Sequence, residues 1–214
     1  MRPLVTMDQV IDFAAECNTP PDGYFSTWDV LGRWQIDALT EIGLKPDHNV
    51  LDIGCGALRL GVFALPYLTV GKYCGVDAFE GYIKIAKKIQ HKLGQEHNFD
   101  VRLDHKFEFE AFEINFDFAI AQSVFTHLSS GQIKECLRKL HSVTTPGAKF
   151  LATVSPIGPI ETVGLLYGGV YPMQRPVPES IEEYIKPGED EGFTVEVTNL
   201  THPTGQICLV YTRI

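Results

Sequence analysis

The chain has no apolar run approaching the roughly 18 residues that a membrane-spanning helix needs. Its start, MRPLVTMDQVIDFAAE, places Asp8, Asp12 and Glu16 where a secretory leader requires an uninterrupted apolar stretch. This reading gives a cytoplasmic protein with no membrane partner. Paired cysteines are also missing. Cys17, Cys55, Cys74, Cys136 and Cys208 are odd in number and scattered, with no CxxC pair and no clustered histidines. Neither a disulfide framework nor a structural zinc site is indicated, and no metal is expected. Positive charge is scarce: 18 Lys and Arg stand against 27 Asp and Glu, a net charge of −9. That balance opposes sequence-independent nucleic-acid binding, which requires a basic face. With 44% hydrophobic and 21% charged residues the composition is that of a globular chain. Its 214 residues suit one domain with an elaboration.

The first 45 residues read as a helical cap. TMDQVIDFAAEC sets Val10, Ile11, Phe13 and Ala14 on one side, the turn NTPPDG at 18–23 ends that segment, and a second amphipathic helix runs from about Thr27 to Ile42. From 46 to 154 strands and helices alternate. VLDIG (50–54) and YCGVD (73–77) read as strands around a helix over Leu58–Leu68. GYIKIAKKIQHKLG is a helix closed by Gly94, and FDVRLD (99–104) and FDFAIAQ (116–122) are the next strands. Ser129 and Gln132 have capping-box spacing ahead of another amphipathic helix, and KFLATV (149–154) is a fifth strand. A helix near 179–186 follows, then FTVEVTNL (193–200) and QICLVYTRI (206–214), whose short THPTG turn suits an antiparallel hairpin at a sheet edge. The expectation is a single α/β domain with a doubly wound, mostly parallel seven-stranded sheet, an antiparallel C-terminal hairpin and an N-terminal helical cap. The stretch 155–178, rich in proline and glycine, is a long irregular insertion expected on the substrate side.

The chemistry concentrates in Asp52-Ile53-Gly54-Cys55-Gly56. Two glycines one residue apart, at the carboxyl end of a strand, let the backbone turn sharply and approach a ligand without a Cβ in the way. A dinucleotide fingerprint would require a third glycine three residues after Gly56, but Ala57, Leu58 and Arg59 come next and Gly61 is two positions late. An NAD site is disfavoured. A carboxylate one strand over, such as Asp77, would recognise a diol, whereas a 2′-phosphate would call for arginine.

Along most of residues 49–154 the chain resembles a class I S-adenosylmethionine-dependent methyltransferase of the small-molecule type, on several motifs in order: VLDIGCG, YCGVD, FDFAIAQSVFTHLS and TPGAKFLAT, with Ala148 in place of the second glycine of the family's PGG. The resemblance implies a Rossmann-like methyltransferase fold with S-adenosylmethionine as cofactor and S-adenosylhomocysteine as product. It places Asp52, Gly54, Cys55 and Gly56 beside the methionine part and Asp77, with Ala78 after it, at the ribose hydroxyls. Asp104 falls near the adenine amino group, and Gln122 and Ser123 beside the sulfonium.

Other residues keep two readings open. His127, after the fourth strand, suits a general base by its pKa near 6.5, or it packs against the helix beginning at Ser129. Arg59 and Arg33 are the cations nearest the loop in sequence, able to meet the cofactor carboxylate or to face outward. Trp28, Trp34, Tyr24 and Phe25 form either an aromatic lid or core packing, and His202 reads as structural. The implied function is methyl transfer to a small-molecule acceptor on oxygen or nitrogen. A non-catalytic S-adenosylmethionine-binding protein and an aminopropyl-type transferase on the same scaffold are the alternatives.

Overall fold

A computed structural model describes residues 3–19, 23–94, 98–155 and 180–214. The seven strands follow the order β3-β2-β1-β4-β5-β7-β6, the doubly wound, mostly parallel arrangement with an antiparallel C-terminal hairpin that the sequence predicts. Contacts cluster in two units, Met1–His105 and Lys106–Ile214.

In the first unit α1 (Met7–Glu16) starts at Thr6, whose hydroxyl accepts from Gln9 N while the Gln9 side chain accepts from Thr6 N. This reciprocal cap satisfies two donors that the first turn would otherwise leave open. A short α2 (Gly23–Ser26) and the longer α3 (Trp28–Glu41) follow. β1 (Val50–Ile53), β2 (Tyr73–Asp77) and β3 (Phe99–Leu103) pair in parallel, with Asp52 opposite Gly75 and Asp77 opposite Leu103. β1 is buried along its whole length, as a strand covered on both faces must be. α5 (Glu80–Leu93) buries Ile83, Ile85, Ala86 and Ile89 and ends at Gly94, whose φ of +69° suits a residue without a Cβ.

The helix expected over Leu58–Leu68 is only one turn, α4 (Gly61–Ala64), flanked by turns. Leu58 stands at φ +63°, a conformation that no α-helix tolerates, and it ends the turn that leaves the glycine loop. Trp28 is fully buried, its ring 6.2 Å from Phe63, and Phe25 packs edge-on to Tyr82. Core packing accounts for both.

In the second unit β4 (Phe116–Ala121) runs parallel to β5 (Thr144–Val154), and β7 (Ile207–Arg213) is antiparallel to both β5 and β6 (Phe193–Val197). β5 begins five residues earlier than its apolar run suggests. Phe116 pairs with Thr144 but Phe118 pairs with Lys149, so the segment containing Pro146 and Gly147 bulges out and pairing resumes beyond it. α6 (Ser130–Ser142) carries the capping box at Ser129 and Gln132 that its sequence predicts. The last helix, α7 (Glu182–Asp190), extends past Pro187, which loses only one backbone donor near the helix end. Phe125, Phe150 and Tyr211 stack within 5.3–6.4 Å of one another to form the centre of this core. Apart from Ser155, the insertion expected on the substrate side lies outside the described residues. No helix among the described residues is long and apolar enough to cross a membrane.

Candidate functional site

The loop after β1 is built by the β1–β2 pairing. Gly54 N and Cys55 N both donate to Val76 O, at 2.8 and 2.9 Å, which turns the chain back over the end of β2. Gly54 and Gly56 take φ of +74° and +56°, so glycine is required at both corners. Between them the buried Cys55 side chain points inward and packs over β2. A Cβ at Gly75 would lie 2.9 Å from both its Cβ and its Sγ, so the absence of a side chain at Gly75 is what admits the loop. Burial pushes the Cys55 thiol well above its ordinary range, and Asp52 and Asp77 add to that. It is a packing residue and holds no thiolate.

Asp77 closes the loop from below. Its Oδ2 accepts from Gly56 N at 2.9 Å and its Oδ1 from Phe79 N at 2.7 Å. Each carboxylate oxygen has further lone pairs, so the group can still accept from a ligand hydroxyl. Burial raises its pKa from 3.8 to about 6 against the lowering effect of the Phe79 and Gly56 amides and of His105. Asp104 N donates to Asp77 O at 3.0 Å, which brings Asp104 beside Asp77. The neighbouring Asp100 is committed elsewhere, to Arg102 at 2.7 Å. Ala78 is exposed next to Asp77.

Asp52 is nearly inaccessible at 1% exposure. Burial lifts its pKa to about 7, although the Tyr73 hydroxyl donates to Oδ2 at 2.6 Å and the Arg59 charge also favours ionisation. Arg59 is buried in the same unit, not turned outward, while Arg33 is exposed with its guanidinium 5.5 Å above the Phe63 ring. Tyr73 is a site residue that sequence reasoning missed. Its position at the start of β2 reveals nothing until the register places Asp52 opposite Gly75.

In the second unit Gln122 and Ser123 follow β4 directly, and Ser123 stands at φ +60°. A non-glycine residue held there is uncommon, and such positions concentrate at functional sites. Ser123 N donates to Thr153 Oγ1, and Ser123 Oγ meets Gln206 Nε2 at 2.8 Å. His127 ends the one-turn 3₁₀ helix Phe125–His127, half-buried, with its pKa lowered by desolvation. Thr153 and Gln206 were invisible in the sequence because they meet only through the antiparallel β5–β7 pairing.

What this set can do is legible from its donors. Glycine corners, a buried carboxylate at Asp52 and a half-buried one at Asp77 suit a ligand carrying a diol and a cationic amine. The residues fit S-adenosylmethionine.

Comparison with known proteins agrees. A family model described as a methyltransferase domain matches residues 51–150. The fold is shared with magnesium protoporphyrin IX methyltransferase from Synechocystis with bound SAH, at TM-score 0.64 and 18% identity over 95% of this chain and 94% of that one. A SAM-dependent methyltransferase from Aquifex aeolicus matches at TM-score 0.60 and 24% identity over 83% of this chain and 87% of that one. Human N-acetylserotonin methyltransferase in complex with SAM matches at TM-score 0.64 and 16% identity, over 97% of this chain and 56% of its own length. At these identities the likeness to solved structures is one of fold.

Proposed function

We propose that the chain, whose residues 51–150 match a methyltransferase-domain family model, is a class I S-adenosylmethionine-dependent methyltransferase that methylates a small-molecule acceptor on oxygen or nitrogen. The observation that carries the reading is the glycine loop closed onto a carboxylate, Gly56 N to Asp77 Oδ2 at 2.9 Å. In this reading Asp77 accepts from the ribose hydroxyls and Asp104 lies at the adenine side. Asp52 meets the cationic methionine amine, Arg59 balances the cofactor carboxylate, and Gln122 and Ser123 border the sulfonium. The cofactor supplies a methyl group already activated for in-line displacement. The protein's part is to align the acceptor and exclude water. Where the acceptor is a hydroxyl, His127 is the base: desolvation keeps its ring neutral near pH 7, so it can take the acceptor proton.

The net charge of −9 supports a small acceptor over a polynucleotide. The test is transfer of the labelled methyl group of S-adenosylmethionine to a fractionated metabolite pool. Label in a low-molecular-weight product with release of S-adenosylhomocysteine supports the reading. Tight binding without transfer leaves a non-catalytic cofactor-binding protein, and release of methylthioadenosine indicates aminopropyl-type transfer.

A further inference from the structure

Gln122, Ser123, Thr153, His202, Thr204 and Gln206 join in one hydrogen-bond network at the carboxyl ends of β4 and β5. The antiparallel register of β7 on β5, Val154 opposite Ile207, carries residues 202–206 to that edge. Gln122, Thr153 and His202 are buried there. Ser123 N donates to Thr153 Oγ1 at 2.8 Å, Thr153 Oγ1 donates to Gln206 Oε1 at 2.5 Å, and Gln206 Nε2 donates to Ser123 Oγ at 2.8 Å. This ring of bonds holds Ser123 at its left-handed φ of +60°.

The remaining directions follow from one unambiguous donor. Thr204 N–H can only donate, and it does so to His202 Nδ1 at 3.2 Å. With that N–H aimed at it, Nδ1 is the unprotonated nitrogen, the Thr204 hydroxyl at 3.1 Å donates to it as well, and the neutral ring carries its hydrogen on Nε2. Nε2 lies 3.4 Å from the terminal Gln122 amide atom that is placed as Nε2. A donor needs an acceptor opposite it, so that atom is the amide oxygen, the orientation that hydrogen-bond logic must decide for any glutamine. The same amide atom also lies within hydrogen-bond distance of Ser123 Oγ. The Ser123 hydroxyl then has two acceptors in reach, the Gln122 oxygen and Gln206 Oε1 at 3.1 Å.

We propose that His202 is a positioning residue: through Nε2–H it fixes the Gln122 amide, and with it the Gln122–Ser123 corner, in the one orientation that the methyl-transfer site uses. The proposal rests on the reading that this corner borders the cofactor. It also removes His202 from candidacy as the general base, because the nitrogen that would take a proton already accepts from Thr204.

The experiment is a double-mutant cycle read by titration calorimetry with S-adenosylhomocysteine, on folded protein verified by circular dichroism. His202→Asn keeps an acceptor near the Nδ1 position and has nothing at Nε2; His202→Gln reaches the Nε2 position. His202→Asn should weaken binding about tenfold, the worth of one neutral hydrogen bond, and His202→Gln should restore most of that. In a Gln122→Ala background His202→Asn should cost nothing further, whereas a side chain that merely fills space would cost the same in both backgrounds. Nitrogen NMR of the wild-type protein should show unprotonated Nδ1. Unchanged affinity in His202→Asn, an equal loss in the Gln122→Ala background, or a protonated Nδ1 each overturns the proposal. Absence of any S-adenosylhomocysteine binding by wild-type protein would defeat the cofactor reading instead, and the tautomer measurement would still judge the network.

Discussion

Cofactor binding should release protons, and Asp52→Asn should remove most of that coupling. In the cofactor-free protein the Asp52 and Asp77 carboxyls sit at about 7 and about 6, against 3.8 for each in an unfolded chain, because both are desolvated. A raised carboxyl pKa means that the folded protein holds a proton which the unfolded chain has released. The stability contributed by Asp52 is therefore full below about pH 4 and is lost as pH rises to about 7. At 1.36 kcal/mol per tenfold, the span from 3.8 to 7 corresponds to about 4 kcal/mol. Binding runs the other way, since a cationic amine and a pair of hydroxyl donors favour the ionised carboxylates. Between pH 8 and pH 5 affinity should fall about 10² through Asp52 and about tenfold more through Asp77, or about 10³ in all. Titration calorimetry with S-adenosylhomocysteine at pH 5, 6, 7 and 8, repeated in buffers of different protonation enthalpy, reads both the affinity and the proton count. Asp52→Asn keeps an acceptor for the Tyr73 hydroxyl and should leave only about the tenfold part of the drop. Its cofactor-free melting temperature should also change less between pH 5 and 8 than that of wild type. Equal affinity at pH 5 and 8 in wild-type protein, or an undiminished pH dependence in the variant, would refute the reasoning.

Three other outcomes are expected. Asp77→Ala should weaken cofactor binding by about 2–3 kcal/mol, the scale of charge-assisted hydrogen bonds, with the fold retained by circular dichroism; unchanged affinity would remove its ribose role. For a hydroxyl acceptor, His127→Ala should lower turnover by roughly 10² to 10⁴ with cofactor affinity unchanged. Since burial lowers the pKa of His127, the acid limb of the wild-type profile should lie below pH 6.5, and a fully active variant would leave the residue to helix packing. Gly75→Ala puts a methyl group 2.9 Å from the Cys55 Cβ and Sγ, so the loop must shift. A stability loss of about 1–3 kcal/mol is expected in denaturant melts, and a wild-type midpoint would show that the loop is not held by that contact.

Local sequence carries part of this protein openly. VLDIGCG and YCGVD are legible because a buried parallel strand is mostly apolar and a sharp turn over its end favours glycine. The capping residues at Ser129 and Gln132 are legible because a helix N-terminus must find acceptors within three residues. What stays hidden depends on register. Tyr73 meets Asp52 only through the β1–β2 pairing, and Thr153 and Gln206 meet Ser123, and His202 meets Gln122, only because β7 lies antiparallel on β5. The apolar stretch from Leu58 to Leu68 is over-read as a helix for a related reason. Burial of most of its residues makes it largely apolar, and periodicity then says nothing of the positive φ at Leu58. Of the two readings open for Arg59 the outward one does not hold: it is buried in the turn before α4, and its charge acts on the buried Asp52 carboxyl.

The central claim is that the loop at residues 52–56 and the Asp77 carboxylate select S-adenosylmethionine over a dinucleotide. Calorimetric titration of the purified chain with S-adenosylmethionine, S-adenosylhomocysteine and NAD tests it directly. Saturable binding of both sulfur compounds, without heat from NAD, is the predicted result. No binding of either sulfur compound, or tight binding of NAD, would contradict it.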